Sequence, residues 1–287
     1  MLWFFGAIVA AATSILVIDR VPESARDAWE LLVSFAFFAV YALAALLLGV
    51  AYRSSVPAGL MAAVAVAMVP AIGYGFTSLI GTFPDEAFSD PLQDFSGSVF
   101  AIGVATIGIA LAAYALTSFS FLLGIVATAT HVTAQLLLPA LDPDPGAGAH
   151  ATAAIVVGAG LVVVGLLLDR AQRRRDAFWL YVAGFLGLAA VLVYYSTGID
   201  GDSERGWIPM LVASAIVLAA AAPLRRATWA VYGAAGLGSA LIHYLVKSGS
   251  WFVYLLLAVA LAAFVLGLLA HRNGARSRRV YTSATPP

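Results

Sequence analysis

The sequence contains no cysteine. Disulfides, thiolate nucleophiles and thiolate metal sites are therefore excluded, although the absence says nothing about redox compartment. Charge is also scarce: 10% of the residues are charged and 62% are hydrophobic, against roughly 25% and 45–50% in soluble domains. So few polar side chains cannot coat a water-facing exterior around that much apolar surface. Formal net charge is zero, with 15 basic and 15 acidic residues. Alternating segments of about ten residues, the mark of a membrane β-barrel, are missing, as is any polar stretch long enough for a soluble domain of useful size.

What is present is a succession of about ten apolar runs, each near the roughly 20 residues that cross a bilayer as a helix. They cover residues 2–18, 31–51, 59–80, 98–116, 119–138, 151–168, 178–196, 208–224, 228–246 and 251–270. In hydrocarbon an isolated strand cannot satisfy its backbone groups, so all must be helices. The expected fold is an all-α, polytopic transmembrane bundle with about ten spans. The first run has no basic stretch ahead of it and no clean small-x-small site before Asp19, so it reads as a transmembrane helix rather than a signal peptide.

Charges separate by loop. One set of loops and the C-terminal tail hold Arg53, Arg170, Arg173, Arg174, Arg175, Arg225, Arg226, Arg272, Arg276, Arg278 and Arg279. The other set holds Arg20, Arg26, Arg205 and Lys247, together with every acidic residue except Asp169 and Asp176. The basic side faces the cytoplasm, which places both termini inside. Residues 1–270 form a single transmembrane domain, divisible into five-plus-five halves at 1–140 and 149–270; an odd number of spans per half would make the halves inverted repeats. The loops "GTFPDEAFSDPLQDF", "LDPDPGAGAH" and "STGIDGDSERGW" are acidic and turn-rich, and "DRVPESARDAWE" suggests a short interfacial helix. Residues 271–287 are a basic tail expected to be disordered.

Within "LLLDRAQRRRDAFWLY" the arginines mark the cytoplasmic side, and Phe178, Trp179 and Tyr181 are expected to anchor the next helix at the interface. Arg170, Arg173, Arg174, Arg175, Arg225 and Arg226 also attract anionic lipid headgroups. Nucleic acid is not an expected partner, because no domain presents these short basic loops.

Polar residues inside apolar runs are costly and therefore point to sites. In the fifth run Thr117, Ser120, Gly124, Thr128, His131 and Gln135 recur every three or four residues, which puts them on one helical stripe. Thr128, His131 and Gln135 are candidates to line a path or pocket. The competing reading is helix packing, in which small residues allow close approach and polar ones bond across the interface. The ninth run repeats the pattern with Tyr232, Gly236, Ser239, His243 and Lys247; Tyr232, Ser239 and His243 are the further candidates for lining. In the third run "MVPAIGYGFTS" carries Pro70, and breaks of this kind line sites in some transporters.

Catalytic readings find less support. Ser239 and His243 are four apart, yet a serine nucleophile needs a base held against it, and the Gly-x-Ser-Gly frame of rhomboid-like proteases is not matched by Gly238-Ser239-Ala240. "GAAGLG" at 233–238 lacks the preceding strand of a dinucleotide site. His131, His150 and His243 fit no metal-ligand spacing. No buried carboxylate is expected, whereas proton- or sodium-coupled transport usually relies on one. No enzyme activity, metal or cofactor is expected.

"GLLLDRAQRRRDAFWLYVAGFLGL", "APLRRATWAVYGAAGLGSALIHYL" and "WFVYLLLAVALAAFVLGLLAHR", all within residues 165–276, resemble an uncharacterised group of multi-pass bacterial integral membrane proteins. That resemblance implies membrane location and no particular chemistry. In helix count and chain length alone, the chain also resembles the drug/metabolite transporter superfamily. The expected role is a transporter or permease of a small or amphiphilic molecule in the bacterial inner membrane. The alternative is a non-catalytic scaffold or subunit bound to another membrane protein or to its own copies. A lipid-modifying enzyme ranks behind both.

Overall fold

The structure, a computed structural model, describes residues 2–19, 26–82, 92, 94–196 and 206–248. Among these, every element is a helix: α1 (Leu2–Asp19), α2 (Arg26–Leu46), α3 (Ser55–Leu79), α4 (Gly97–Thr117), α5 (Phe121–Leu141), α6 (Ala147–Arg170), α7 (Arg174–Ser196), α8 (Trp207–Leu224) and α9 (Ala227–Ser248), with a π-helical turn, Leu47–Ala51, closing α2. Nine of the apolar runs coincide with these helices. The run at 251–270, the tail at 271–287 and the acidic stretches at 83–91 and 197–205 lie outside the described residues.

Among the described residues, eight helices, α2 to α9, are long and apolar enough to cross a membrane, and α1 is a shorter apolar helix. Many large hydrophobic side chains face outward, such as Phe5, Val50, Leu116 and Val231. In water this surface would aggregate; in a bilayer it is the lipid-facing side. The fold is that of a multi-pass integral membrane protein.

The chain divides into two compact units, residues 1–193 and 194–287. The boundary falls within α7, and the α5–α6 turn lies inside the first unit.

In the first unit α3 is central. Its stretch "AGLMAAVAVAMV" is buried along nearly its whole length, and α1, α2, α4 and α5 all pack on it. The sequence explains this position, because short side chains around the full circumference let several helices approach at once. Ala62, Ala63 and Val66 meet Ala45, Ala110 and Leu122 in one cluster; Leu60 and Val64 meet Ala7 in another. A third cluster joins α5 and α7 through Leu123, Ala127, Leu180 and Ala183. Helices α6 and α7 approach closely at Gly158 and Gly184, where an added Cβ on either would lie within 3 Å of the other's carbonyl oxygen. Pro70 does not end α3, which continues to Leu79.

In the second unit α8 and α9 form a hairpin. Its turn is tight: Arg225 adopts a left-handed conformation, φ 54°, and Arg226 N–H reaches the Ala221 carbonyl. Gly233 sits against the backbone of Leu218 and Gly236 against the Ser214 hydroxyl.

Candidate functional site

The polar stripe of α5 does not face a single environment. At its N-terminal end Ser120 donates to Asp176 Oδ1 at 2.6 Å. Tyr114 of α4 donates to Asp176 Oδ2 at 2.7 Å, and Arg173 Nε pairs with the same oxygen at 2.9 Å. Arg173 also donates to the Tyr114 hydroxyl, with its guanidinium 5.8 Å from the Tyr114 ring centroid. One carboxylate thus ties α4, the α4–α5 turn and the start of α7 together. Asp176 is 8% exposed. The sequence leads one to expect no buried carboxylate; among the described residues two are buried, Asp176 and, near the start of α2, Glu30 at 5% exposure. Both sit near helix ends, where a scan of helix middles passes over them. The signal for Asp176 was present in "RRRD", since Arg173 and Asp176 are spaced to meet on one helical turn.

One turn further, Gly124 lies against Trp179 of α7, and Trp179 meets Phe121 edge-on at a centroid distance of 4.8 Å. The expected interfacial anchors divide here. Phe178 is exposed, whereas Tyr181 is 1% exposed, packed on Gly165 and donating to Asp169. Packing against a glycine on α6 draws the Tyr181 ring inward, away from the headgroups.

Thr128 borders a cleft of about 610 Å³ between α3, α4, α5 and α7. Pro70, Phe121 and Trp179 contribute to its wall. Its rim, at Val132 and Leu186, is exposed, while Thr106 and Thr133 deep in the cleft are 7% and 8% exposed. Thr106 donates to the Ile102 carbonyl. The Thr133 hydroxyl has no hydrogen-bond partner among the described residues; it faces Gly103 of α4. A buried, unpaired hydroxyl costs about 1–3 kcal/mol. Thr106 and Thr133 were not candidates from sequence, because both fall off the stripe that drew attention to α5.

His131 and Gln135 lie outside the cleft lining. The half-buried His131 ring fills the space left by Gly187 of α7, within hydrogen-bonding reach of the Ala183 backbone. Gln135 joins α6: its Nε2 donates to the His150 carbonyl at 3.2 Å, and its Oε1 lies 2.7 Å from His150 Nδ1. With Oε1 as acceptor, the His150 proton must be on Nδ1.

On α9 the stripe divides differently. His243 stacks flat on Trp207 of α8, with centroids 4.0 Å apart and planes 8° from parallel. Ser239 is exposed and donates to the Ala235 carbonyl of its own helix at 2.9 Å. Tyr232 is half-buried on the same helix. The buried face runs through Trp229, Gly233 and Ala240, so Ser239 is turned away from it. Arg170, Arg174, Arg175 and Arg225 are exposed, and Arg226 is partly covered. Arg173 is 52% exposed even while paired with Asp176.

Compared with known proteins, the chain matches no family model, no curated protein and no solved structure.

Proposed function

We propose that the chain is a permease-like protein of the bacterial inner membrane, and that the cleft between α3, α4, α5 and α7 holds the small or amphiphilic molecule it moves. The carrying observation is the combination of an apolar cleft of about 610 Å³ with one buried hydroxyl, Thr133, that has no partner among the described residues. Ligand sites are typically concave and mostly apolar, with a few placed polar groups that orient the guest. The exposed rim at Thr128, Val132 and Leu186 would admit such a guest from the bilayer. The bacterial assignment follows the resemblance of residues 165–276.

Thr128→Trp should plug the cleft from its exposed edge. In liposomes holding the purified protein, wild type should bind and pass an environment-sensitive amphiphilic dye, and the variant should lose most of both. Equal dye binding and flux in the two proteins would sink the reading. Orientation has its own test: fusions after Asp176 and Ala275 should report a cytoplasmic location, and one after Asp94 an extracytoplasmic one.

A second reading, a membrane scaffold or complex subunit, is favoured by how α5 uses His131 and Gln135. Both hold neighbouring helices, as expected where a bundle has to be rigid rather than open. Recovery of the protein only as a monomer, with nothing crosslinked to it in membranes, would count against this alternative.

A further inference from the structure

A second groove, of about 440 Å³, lies between α2, α3 and α4 and shares no lining residue with the cleft. Alanine is the commonest residue of its wall, with Ala62 of α3 and Ala112 of α4 among them. Along α2 and the π-helical turn that closes it, the groove runs from Phe38 to Val50. That is roughly 18 Å at 1.5 Å per residue, close to the depth of one leaflet in a hydrocarbon core of about 30 Å. One end is polar: Arg53, Ser55 and Thr117 gather there.

Arg53 is exposed, and among the described residues no carboxylate pairs with it. The chain is shaped to present it. The π-helical turn Leu47–Ala51 widens the end of α2, and Arg53 follows in a left-handed conformation, φ 51°, before α3 begins at Ser55. An apolar trough about one leaflet deep, with an exposed arginine and two hydroxyls at its mouth, matches the layout of a phospholipid, apolar along its length and polar at one end. The alanine wall leaves room for one acyl chain, and the arginine complements a phosphate.

We infer that this groove binds one anionic phospholipid, its acyl chain along the alanine wall and its phosphate on Arg53. The site is independent of the cleft and of whatever the cleft carries. The general attraction of basic loops for a negative membrane surface acts over many headgroups and requires no groove; here one lipid is held in register by a charged end and an apolar wall.

The test uses the full-length protein in nanodiscs of equal phosphatidylglycerol and phosphatidylcholine, released for native mass spectrometry. Wild type should retain one phosphatidylglycerol with roughly fivefold preference over phosphatidylcholine, the scale set by one basic residue at an anionic surface. Arg53→Gln should lose the preference, and Arg53→Lys should keep it. Ala112→Trp fills the groove from an exposed position and should abolish retention without unfolding the bundle. The double variant Arg174→Gln/Arg175→Gln, on exposed arginines outside the groove, should weaken the general attraction to anionic headgroups and leave the one retained lipid in place. Unchanged retention in both Arg53→Gln and Ala112→Trp would overturn the proposal. So would a crosslink from residue 112 to a second copy of the chain in place of a bound lipid.

Discussion

Helices α5 and α9 carry the same written pattern, small and polar residues every three or four positions, and the two units use it in different ways. On α5 the stripe changes duty turn by turn: Ser120 holds a carboxylate, Thr128 borders a cleft, His131 fills a glycine gap and Gln135 bonds a neighbouring helix. On α9 the stripe meets α8, with Gly233 against the Leu218 backbone and Gly236 against the Ser214 hydroxyl, and His243 stacked on Trp207. Periodicity states that residues share a face. What that face meets depends on how many helices surround it, and α5 borders α3, α4, α6 and α7.

The largest expected effect tests the most connected point of the α5 stripe. Asp176→Ala leaves the Tyr114 and Ser120 hydroxyls without their acceptor inside the protein. Each of these half-buried hydroxyls loses a hydrogen bond to a charged group, worth about 1.5–3 kcal/mol. The Arg173 pair contributes less, because that side chain is 52% exposed and water compensates it. A loss of about 3 kcal/mol is expected, read as a lower unfolding midpoint in detergent, with Asp176→Asn recovering part of it. An unchanged midpoint for Asp176→Ala would remove Asp176 as the tie between α4, the α4–α5 turn and α7.

The next pair sets one glycine contact in each unit against the other. A Cβ on Gly233 would lie 2.6 Å from the Leu218 backbone nitrogen, which cannot move unless α8 and α9 separate. Gly233→Ala should cost about 1–3 kcal/mol, as overpacking does, and no side-chain change should rescue it. A Cβ on Gly187 would meet the His131 ring instead, and a ring can be removed. Gly187→Ala should destabilise, and His131→Ala added to it should restore part of the loss. A double-mutant cycle measures this as a coupling. Simple additivity would remove His131 from its assigned contact.

The helices themselves were legible because their signal is long and redundant. Twenty apolar residues have one solution in lipid, and boundaries at Arg174, Trp207 and Ala227 lie within a few residues of the apolar edges. The site was legible only in part. Thr128 was reached through its spacing. Thr133 was not, since its significance comes from Gly103 on another helix and from the absence of a partner. Asp176 was read as one charge among loop charges, although its burial follows from Tyr114, 62 positions away. Tyr181 was assigned to the interface by residue type, and a glycine on α6 drew it inside. Each miss needed a contact between distant positions, which one helix's periodicity does not contain.

The smallest effects separate bonded from idle members of the two stripes. Gln135→Leu removes two contacts to His150; polar contacts between membrane helices average about 0.6 kcal/mol, so a small but measurable drop in midpoint is expected. Ser239→Ala removes a hydroxyl that is exposed and bonded only within its own helix. Its midpoint should stay within about 0.5 kcal/mol of wild type, as surface substitutions do. The two residues were read from sequence as equivalent members of a polar lining, so the difference between the variants measures what tertiary contact adds to pattern. If Ser239→Ala were the more destabilising, α9 would have to present that hydroxyl to a neighbour, away from the buried face with Trp229, Gly233 and Ala240.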